Sequence, residues 1–322
     1  MPIYQLGVEK GLDALNGSFS LAIVDRRQPQ KLWLARNYKP LFLQARPEVG
    51  AIFFASLSNH FGEQNDLFSQ LYQPAIIAPP AYSLLELDGA TGQIKETDFA
   101  PRIRNKKALI ICSGGLDSTT CAKWAQLQGY EITLLHFRYG CRAETREMKA
   151  IRDIAEALGC DYRFEDLDWL KQLGGSSLTD DSMEITRNET GVEFAHEWVP
   201  ARNLIMTSLA AGLCDRYGYD TLALGLNLEE SGAYPDNTVE FYRTLDQVLN
   251  IGTTSRPRLL SPLANMVKHE IVRLAVDIEA PIHLSWSCYH GRTLHCGECG
   301  PCYMRRTAFK IIGEPDSVQY AN

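Results

Sequence analysis

Lys107-Ala108-Leu109-Ile110-Ile111-Cys112-Ser113-Gly114-Gly115-Leu116-Asp117-Ser118-Thr119 joins an apolar run, a glycine pair and a set of helix-opening polar residues. Lys107 to Cys112 has the composition of a short buried strand. Gly114 and Gly115 let the backbone turn sharply and approach a ligand closely. Asp117, Ser118 and Thr119 suit a first helical turn, which Cys121-Ala122-Lys123-Trp124-Ala125 continues. A helix N-terminus offers unpaired N–H groups and partial positive charge, a natural seat for phosphate. The Ser113 and Ser118 hydroxyls can add hydrogen bonds to phosphate oxygens. Asp117 would repel a bare phosphate, so its place here points to a magnesium ion between them. A glycine pair and a serine alone would fit an ordinary capped helix start equally well. The complete Ser113-Gly114-Gly115-Leu116-Asp117-Ser118 string is far more specific. The chain contains neither a Gly-x-x-x-x-Gly-Lys-Ser/Thr loop nor a Gly-x-Gly-x-x-Gly fingerprint.

Strands and helices alternate outward from this loop. Strands are predicted at Ala108–Cys112, Glu131–Phe137, Tyr162–Leu167, Thr221–Gly225 and Leu259–Leu263. Helices are predicted at Ser118–Gln128, Glu144–Leu158, Arg202–Tyr217, Val239–Leu249 and Lys268–Asp277. This alternation predicts an α/β, doubly wound parallel sheet covered on both faces, with ligands beyond the carboxyl ends of its strands. The first part of the chain differs. Leu21–Val24, Lys31–Ala35, Leu41–Leu43, Ala51–Ala55 and Ala81–Leu87 are short apolar strands, the last followed by the turn Asp88-Gly89. They predict an antiparallel α+β domain. The polar segment between residues 95 and 106 reads as a linker, dividing the chain into domains 1–100 and 106–322.

Composition bounds the function. The chain has 322 residues, 45% hydrophobic and 22% charged, as a folded globular protein should. A net charge of -7 argues against a general nucleic-acid partner. No apolar run is long enough to span a membrane, and Met1-Pro2-Ile3-Tyr4-Gln5 has no signal-peptide pattern. With nine cysteines and no secretory signal, a reducing, cytoplasmic setting is expected.

Four of those cysteines cluster. Cys288, Cys296, Cys299 and Cys302 follow C-x7-C-x2-C-x2-C, with Gly297 and Gly300 supplying tight turns. Closely spaced thiolates on a turn fill adjacent corners of a tetrahedron. A closed, structural zinc site with four cysteine ligands is the natural reading. An iron–sulfur cluster is the competitor, because three of the spacings also suit iron. His290 and His295 lie nearby as bystanders. Cys112, Cys121, Cys160 and Cys214 fall in apolar segments and are expected in the core.

The loop resembles the pyrophosphate loop of N-type ATP pyrophosphatases, which carry an adenine nucleotide alpha hydrolase-like fold. Further segments narrow the resemblance: Tyr139-Gly140, Ser177-Leu178-Thr179, Val199-Pro200-Ala201-Arg202-Asn203, Tyr234-Pro235-Asp236, Pro262-Leu263, Lys268, and Trp286-Ser287-Cys288-Tyr289 leading into Cys296-Gly297-Glu298-Cys299. In this order they are similar to the 7-cyano-7-deazaguanine synthase (QueC) family over about residues 106–312. The resemblance implies an ATP-dependent ligase that adenylates the carboxylate of 7-carboxy-7-deazaguanine. Ammonia then gives an amide, which is activated and dehydrated to the nitrile. It implies that Ser113, Gly114, Gly115, Leu116, Asp117 and Ser118 hold ATP and magnesium. It places Asp117, Ser118, Arg202 and Lys268 in the catalytic set, and Tyr139, Arg202, Asn203, Tyr234 and Asp236 against the substrate. Arg202 has the fork geometry for an oxyanion, and the Asp236 carboxylate could read the donor edge of a guanine-like base. A homodimer is the usual state of the family.

Two substrate-proximal segments depart from the family. Cys141-Arg142-Ala143 stands where Gln-Arg-His is usual, and Asn237 stands where Cys is usual. The N-terminal part is similar to the class II glutamine amidotransferase domain of asparagine synthetases. The similarity rests on Leu15-Asn16-Gly17-Ser18-Phe19, Ala35-Arg36-Asn37, Lys39-Pro40-Leu41 and Phe54-Ala55-Ser56. With Pro2 near the start and no cysteine before Cys112, glutaminase activity is not expected, and a degenerate domain that braces the fold, dimerises or docks a partner protein is. Two acceptors therefore compete: ammonia, or an amine of an acceptor protein as in antiviral defence. A tRNA-thiolating pyrophosphatase and a nucleotide-binding interaction module are the remaining readings.

Overall fold

The computed structural model describes residues 3, 7–15, 18–37, 39–46, 49–61, 75–99, 105–187 and 195–321. The chain divides into two compact units, Met1–Pro101 and Arg102–Asn322.

The first unit holds α1 (Val8–Asp13) and strands β1 (Ser20–Val24), β2 (Lys31–Arg36), β3 (Phe42–Arg46), β4 (Ala51–Ala55), β5 (Ile76–Ile77), β6 (Ser83–Asp88) and β7 (Ile94–Asp98). All pairings are antiparallel, in two sheets ordered β1-β2-β6-β7 and β4-β3-β5. Leu12, Trp33, Ala35, Leu84 and Phe99 form one buried cluster. The buried flank of β2 carries a polar anchor: Glu86 accepts from Lys31 Nζ at 2.6 Å and Trp33 Nε1 at 2.9 Å. Segments Phe19 and Asn37, read as parts of one resemblance, do meet: Asn37 Oδ1 accepts the Phe19 N–H at 2.9 Å. Asn16, Gly17 and Pro2 lie outside the described residues.

The second unit runs β8 (Lys107–Ile111), α2 (Leu116–Leu127), β9 (Glu131–Arg138), α3 (Glu144–Leu158), β10 (Asp161–Asp166), α4 (Trp169–Leu173), α5 (Arg202–Tyr217), β11 (Thr221–Leu224), α6 (Val239–Gly252), β12 (Arg258–Leu260), α7 (Lys268–Asp277) and α8 (Gly300–Ile312). Its sheet has the order β10-β9-β8-β11-β12, parallel throughout. Successive strand residues point to opposite faces, and both faces are packed. Ile110, Leu134 and Ala223 join Ile151, Ile154 and Val272 on one side, while Leu109, Leu135 and Leu222 join Leu170 and Leu259 on the other. This is the α/β doubly wound architecture, with β8 at the centre and the glycine loop at its carboxyl end.

Several elements depart from the sequence reading, among them the short helices α1 and α4, which it did not expect. Residues Lys95–Asp98, read as linker, belong to the edge strand β7, which is largely exposed and hides its pattern behind polar residues. The stretch after the cysteines is helical, with Pro301 in the first turn of α8. The last sheet strand ends at Leu260 rather than Leu263. Residues 101–104 of the expected linker lie outside the described residues. Among the described residues, no helix is long and apolar enough to cross a membrane.

Candidate active site

The loop after β8 is shaped by contacts that demand glycine. Gly114 takes φ +77°, and a Cβ there would stand 3.1 Å from both the Ala150 Cβ and the Glu147 carbonyl oxygen. Gly225, at the end of β11, lies against the loop: a Cβ would fall 2.8–2.9 Å from the Asp117 carbonyl group and the Ser118 nitrogen. Gly115 caps α2, and the first helical bond is Thr119 N–H to the Gly115 oxygen at 3.1 Å. The helix itself leaves the N–H groups of its first residues unused. Ser118 Oγ donates to the Gly115 oxygen at 3.2 Å and lies 3.3 Å from Ser113 Oγ. Both hydroxyls therefore converge on the cradle that Gly114 opens.

Asp117 is the electrostatic centre. Its Oδ2 accepts from Lys268 Nζ at 2.6 Å and from Asn227 Nδ2 at 2.8 Å. Asp117 Oδ1 is buried without a hydrogen-bond partner. A buried carboxylate oxygen left open is a costly arrangement unless a ligand completes it. Asn227 also donates to Glu230 Oε1 at 2.7 Å, and Lys268 Nζ lies 3.9 Å from the same oxygen. Burial alone would lower the Lys268 ammonium, but the Asp117 and Glu230 carboxylates outweigh it and hold the group above its ordinary value. Lys268, at the start of α7 and placed by the resemblance in the catalytic set, thus reaches the loop. The oxygen donors of Asp117 and Glu230 are of the hard kind that magnesium takes.

Arg202 and Asn203 open α5 beside this cluster. Arg202 Nη1 donates to the Tyr139 hydroxyl at 3.1 Å. Ser113, Asp117, Tyr139, Arg202, Asn203 and Lys268 line one cavity. Tyr234 and Asp236 do not line it. Asp236 Oδ2 accepts the Asn203 backbone N–H at 2.9 Å, and its carbonyl accepts Asn203 Nδ2 at 3.0 Å. Instead of facing a base edge, Asp236 holds the start of α5. Asn237 does line the cavity, with Nδ2 3.4 Å from the Asn227 oxygen and 3.5 Å from Glu230 Oε2.

The sequence reading missed Asn227 and Glu230. The available signal was their place just past the carboxyl end of β11, where ligands of parallel sheets bind. It also missed His136 on β9 and Glu147 on α3, which line the same cavity as Cys141. The Cys141 thiol donates to Glu147 Oε2 at 3.5 Å, and burial with that carboxylate beside it pushes the thiol well up. That is the opposite of an activated nucleophile.

The four cysteines meet in one buried cluster, their sulfurs all within 4.8 Å of one another. Sulfurs bonded to a central zinc at about 2.3 Å stand ~3.8 Å apart; Cys296–Cys302 and Cys288–Cys299 are 3.9 and 4.0 Å apart. Backbone N–H groups of Cys296 and His290 point at Cys288 Sγ, both at 3.3 Å, and that of Cys299 at Cys296 Sγ at 3.2 Å. Such donors favour thiolates, and the Cys288 thiol beside it together with these N–H groups holds Cys296 far below the ordinary thiol range. The donor set fits a tetrahedral metal. His295 stays outside the sulfur set: its Nε2 accepts the Ser287 N–H at 3.2 Å and its ring packs on Trp286 with centroids 4.3 Å apart. The Trp286 backbone N–H in turn donates to the Gly114 oxygen at 2.8 Å. The knuckle and the glycine loop are therefore joined by a two-residue bridge.

Comparison with known proteins agrees with this geometry. Residues 107–313 match the family model described as Queuosine biosynthesis protein QueC, and residues 1–62 match one described as a glutamine amidotransferase domain. The chain is 44% identical over 320 residues to 7-cyano-7-deazaguanine synthase 2 of Sulfurisphaera tokodaii, covering 98% of this chain and 68% of that protein. It is 42% identical over 315 residues to 7-cyano-7-deazaguanine synthase of Sulfolobus acidocaldarius, covering 96% of this chain and 66% of that protein. The chain thus spans about two thirds of the length of these longer relatives. The Campylobacter curvus 7-cyano-7-deazaguanine synthase is 37% identical over 220 residues, 67% of this chain and 99% of that protein. Glycine loop, cysteine knuckle and matching relatives converge: the chain belongs to the QueC family of queuosine biosynthesis proteins.

Proposed function

We propose that the chain is an ATP-dependent ligase that joins a nitrogen to the carboxyl carbon of 7-carboxy-7-deazaguanine, with ammonia as acceptor and 7-cyano-7-deazaguanine as the product. The observation that carries this reading is the convergence of Ser113, Asp117, Ser118, Arg202 and Lys268 on one cavity beyond the strand ends. A carboxylate is a poor electrophile, and transferring it to AMP supplies a good leaving group. Gly114 and the open N-terminus of α2 cradle the phosphates, with the Ser113 hydroxyl, and the Ser118 hydroxyl once turned from the Gly115 oxygen, as added donors. Magnesium would be held by Asp117 through its open Oδ1, and would neutralise charge on the phosphate oxygens when bound. Lys268 offsets the Asp117 charge that faces the incoming nucleotide. Arg202, fixed by the Tyr139 hydroxyl, offers its fork to the carboxylate oxygens that become the acyl-adenylate. Trp286 and Tyr289 give the cavity flat apolar walls suited to a heteroaromatic ring. Zinc in the Cys288, Cys296, Cys299 and Cys302 site would be structural, because all four positions are taken by protein sulfur.

The test is a mixture of the protein, magnesium ATP and 7-carboxy-7-deazaguanine. Pyrophosphate and AMP should appear in step with loss of the carboxylate, and the nitrile should accumulate with ammonium. ATP left intact in that mixture would overturn the reading.

A further inference from the structure

We propose that His136 and Glu147 form a subsite for the nitrogen nucleophile, binding it as ammonium and taking its proton; this deepens the reading of the cavity as a carboxylate-activating centre and rests on it for the chemistry. His136 is 2% exposed, on the strand next to the glycine loop, and it lines the cavity. Its Nδ1 lies 3.0 Å from the Cys112 carbonyl oxygen. A carbonyl oxygen only accepts, so Nδ1 carries a proton and Nε2 is the ring nitrogen left for a second partner. That Nε2 is buried with no hydrogen-bond partner. Glu147 Oε2 stands 3.9 Å away, beyond hydrogen-bond reach. Phe164 packs edge-on against the imidazole with centroids 5.8 Å apart, which restrains the ring.

Two acceptors thus face one gap on a cavity wall, and among the described residues nothing donates into it except the weak Cys141 thiol on the Glu147 side. The gap calls for a small donor with charge. Ammonium has four N–H donors and a positive charge, and can reach both acceptors at ~2.9 Å from the apex of a triangle above them. Burial pushes up the Glu147 carboxyl, and a cation in the gap would offset that cost by favouring the ionised form.

The subsite also supplies the proton transfer that ammonium needs before it can attack. One N–H bond breaks and its proton moves to His136 Nε2. The freed electron pair forms the C–N bond to the acyl carbon, the AMP oxygen departs with the pair of the broken C–O bond, and a second N–H proton passes to the departing AMP phosphate, leaving the neutral amide. The imidazolium left behind is stabilised by Glu147. The same site would reject an apolar amine, which could not satisfy both acceptors.

The test separates binding from chemistry. Imidazole nitrogen resonances of 15N-labelled protein, with His136 assigned by its loss in H136Q, are followed as ammonium chloride is added without ATP. Nε2 should shift saturably with ammonium and not with potassium chloride, which matches its size and charge but has no N–H. E147Q should weaken that response at least about tenfold. In turnover, H136Q should raise the KM for ammonium about tenfold while the KM for ATP moves less than about twofold. An unmoved Nε2 resonance, an equal response to potassium, or equal rises in both KM values would overturn the subsite. Wild-type protein that binds ammonium at Nε2 yet releases no pyrophosphate would keep the subsite and refute the activity.

Discussion

The glycine loop and the cysteine knuckle lie two residues apart through Trp286, yet they treat polar groups in opposite ways. In the knuckle, four sulfurs face one another and backbone N–H groups are aimed at two of them. Every donor is committed to one central point. Around the loop, Asp117 Oδ1 and His136 Nε2 are buried and uncommitted. Buried polar atoms without partners cost roughly 1–3 kcal/mol each, and on a cavity wall a ligand can supply what is missing. One region is complete in itself; the other is left incomplete.

The contrast can be broken in graded steps. The largest effect is expected from stripping the knuckle, since metal binding to such sites carries about 10–16 kcal/mol of apparent free energy. Chelation or C302S should release one metal per chain by elemental analysis, lower the melting temperature sharply, and abolish turnover through the Trp286–Gly114 bridge. Unchanged melting would mean that the knuckle holds nothing. Next, D117N should cut pyrophosphate release about a thousandfold, ~4 kcal/mol of transition-state stabilisation. Its melting temperature should fall as well, because the buried Lys268 ammonium loses the carboxylate 2.6 Å away. K268M should follow with about a hundredfold loss in kcat/KM for ATP, measured by initial rates, since Asp117 would then confront the phosphates with its full charge.

The smallest effect is on pH-dependent stability. The Glu147 carboxyl is raised in the folded state by burial, so its stabilising influence is present below the unfolded value of ~4.3 and is lost as pH rises through the folded value. E147Q does not titrate. Its denaturant midpoint relative to wild type should therefore climb as pH rises from about 4 and level off above the folded value. A constant difference across pH would show that Glu147 titrates alike in both states.

The sequence made the parallel unit legible because each strand there is a short apolar run between polar punctuation and each helix has clear limits. Glu144–Leu158, Arg202–Tyr217 and Lys268–Asp277 are read to the residue. Edge strand β7 escaped because a strand exposed on its outer side carries no apolar alternation. Helix α8 escaped because its first turn is written in cysteine, glycine and proline, which read as a ligand turn before they read as a helix. Within the site, the loop announces itself locally. Its partners do not: Asn227 reaches Asp117 across 110 residues and Lys268 across 151. Asp236 shows the converse, since a tripeptide that looks like a recognition turn spends its carboxylate on the Asn203 backbone 33 residues away.

Those separations also set a timetable for synthesis. Strand β8 gains β9 on one side soon after it leaves the ribosome, but its other edge is closed only by β11, which begins at Thr221. At about 5–20 residues per second, the central strand of the finished sheet spends several seconds or more as an unprotected edge. Its run Ala108-Leu109-Ile110-Ile111 is the kind of segment that pairs with any passing chain. Expression yield should therefore depend more on chaperone supply and on translation speed between residues 112 and 221 than on the stability of the folded product.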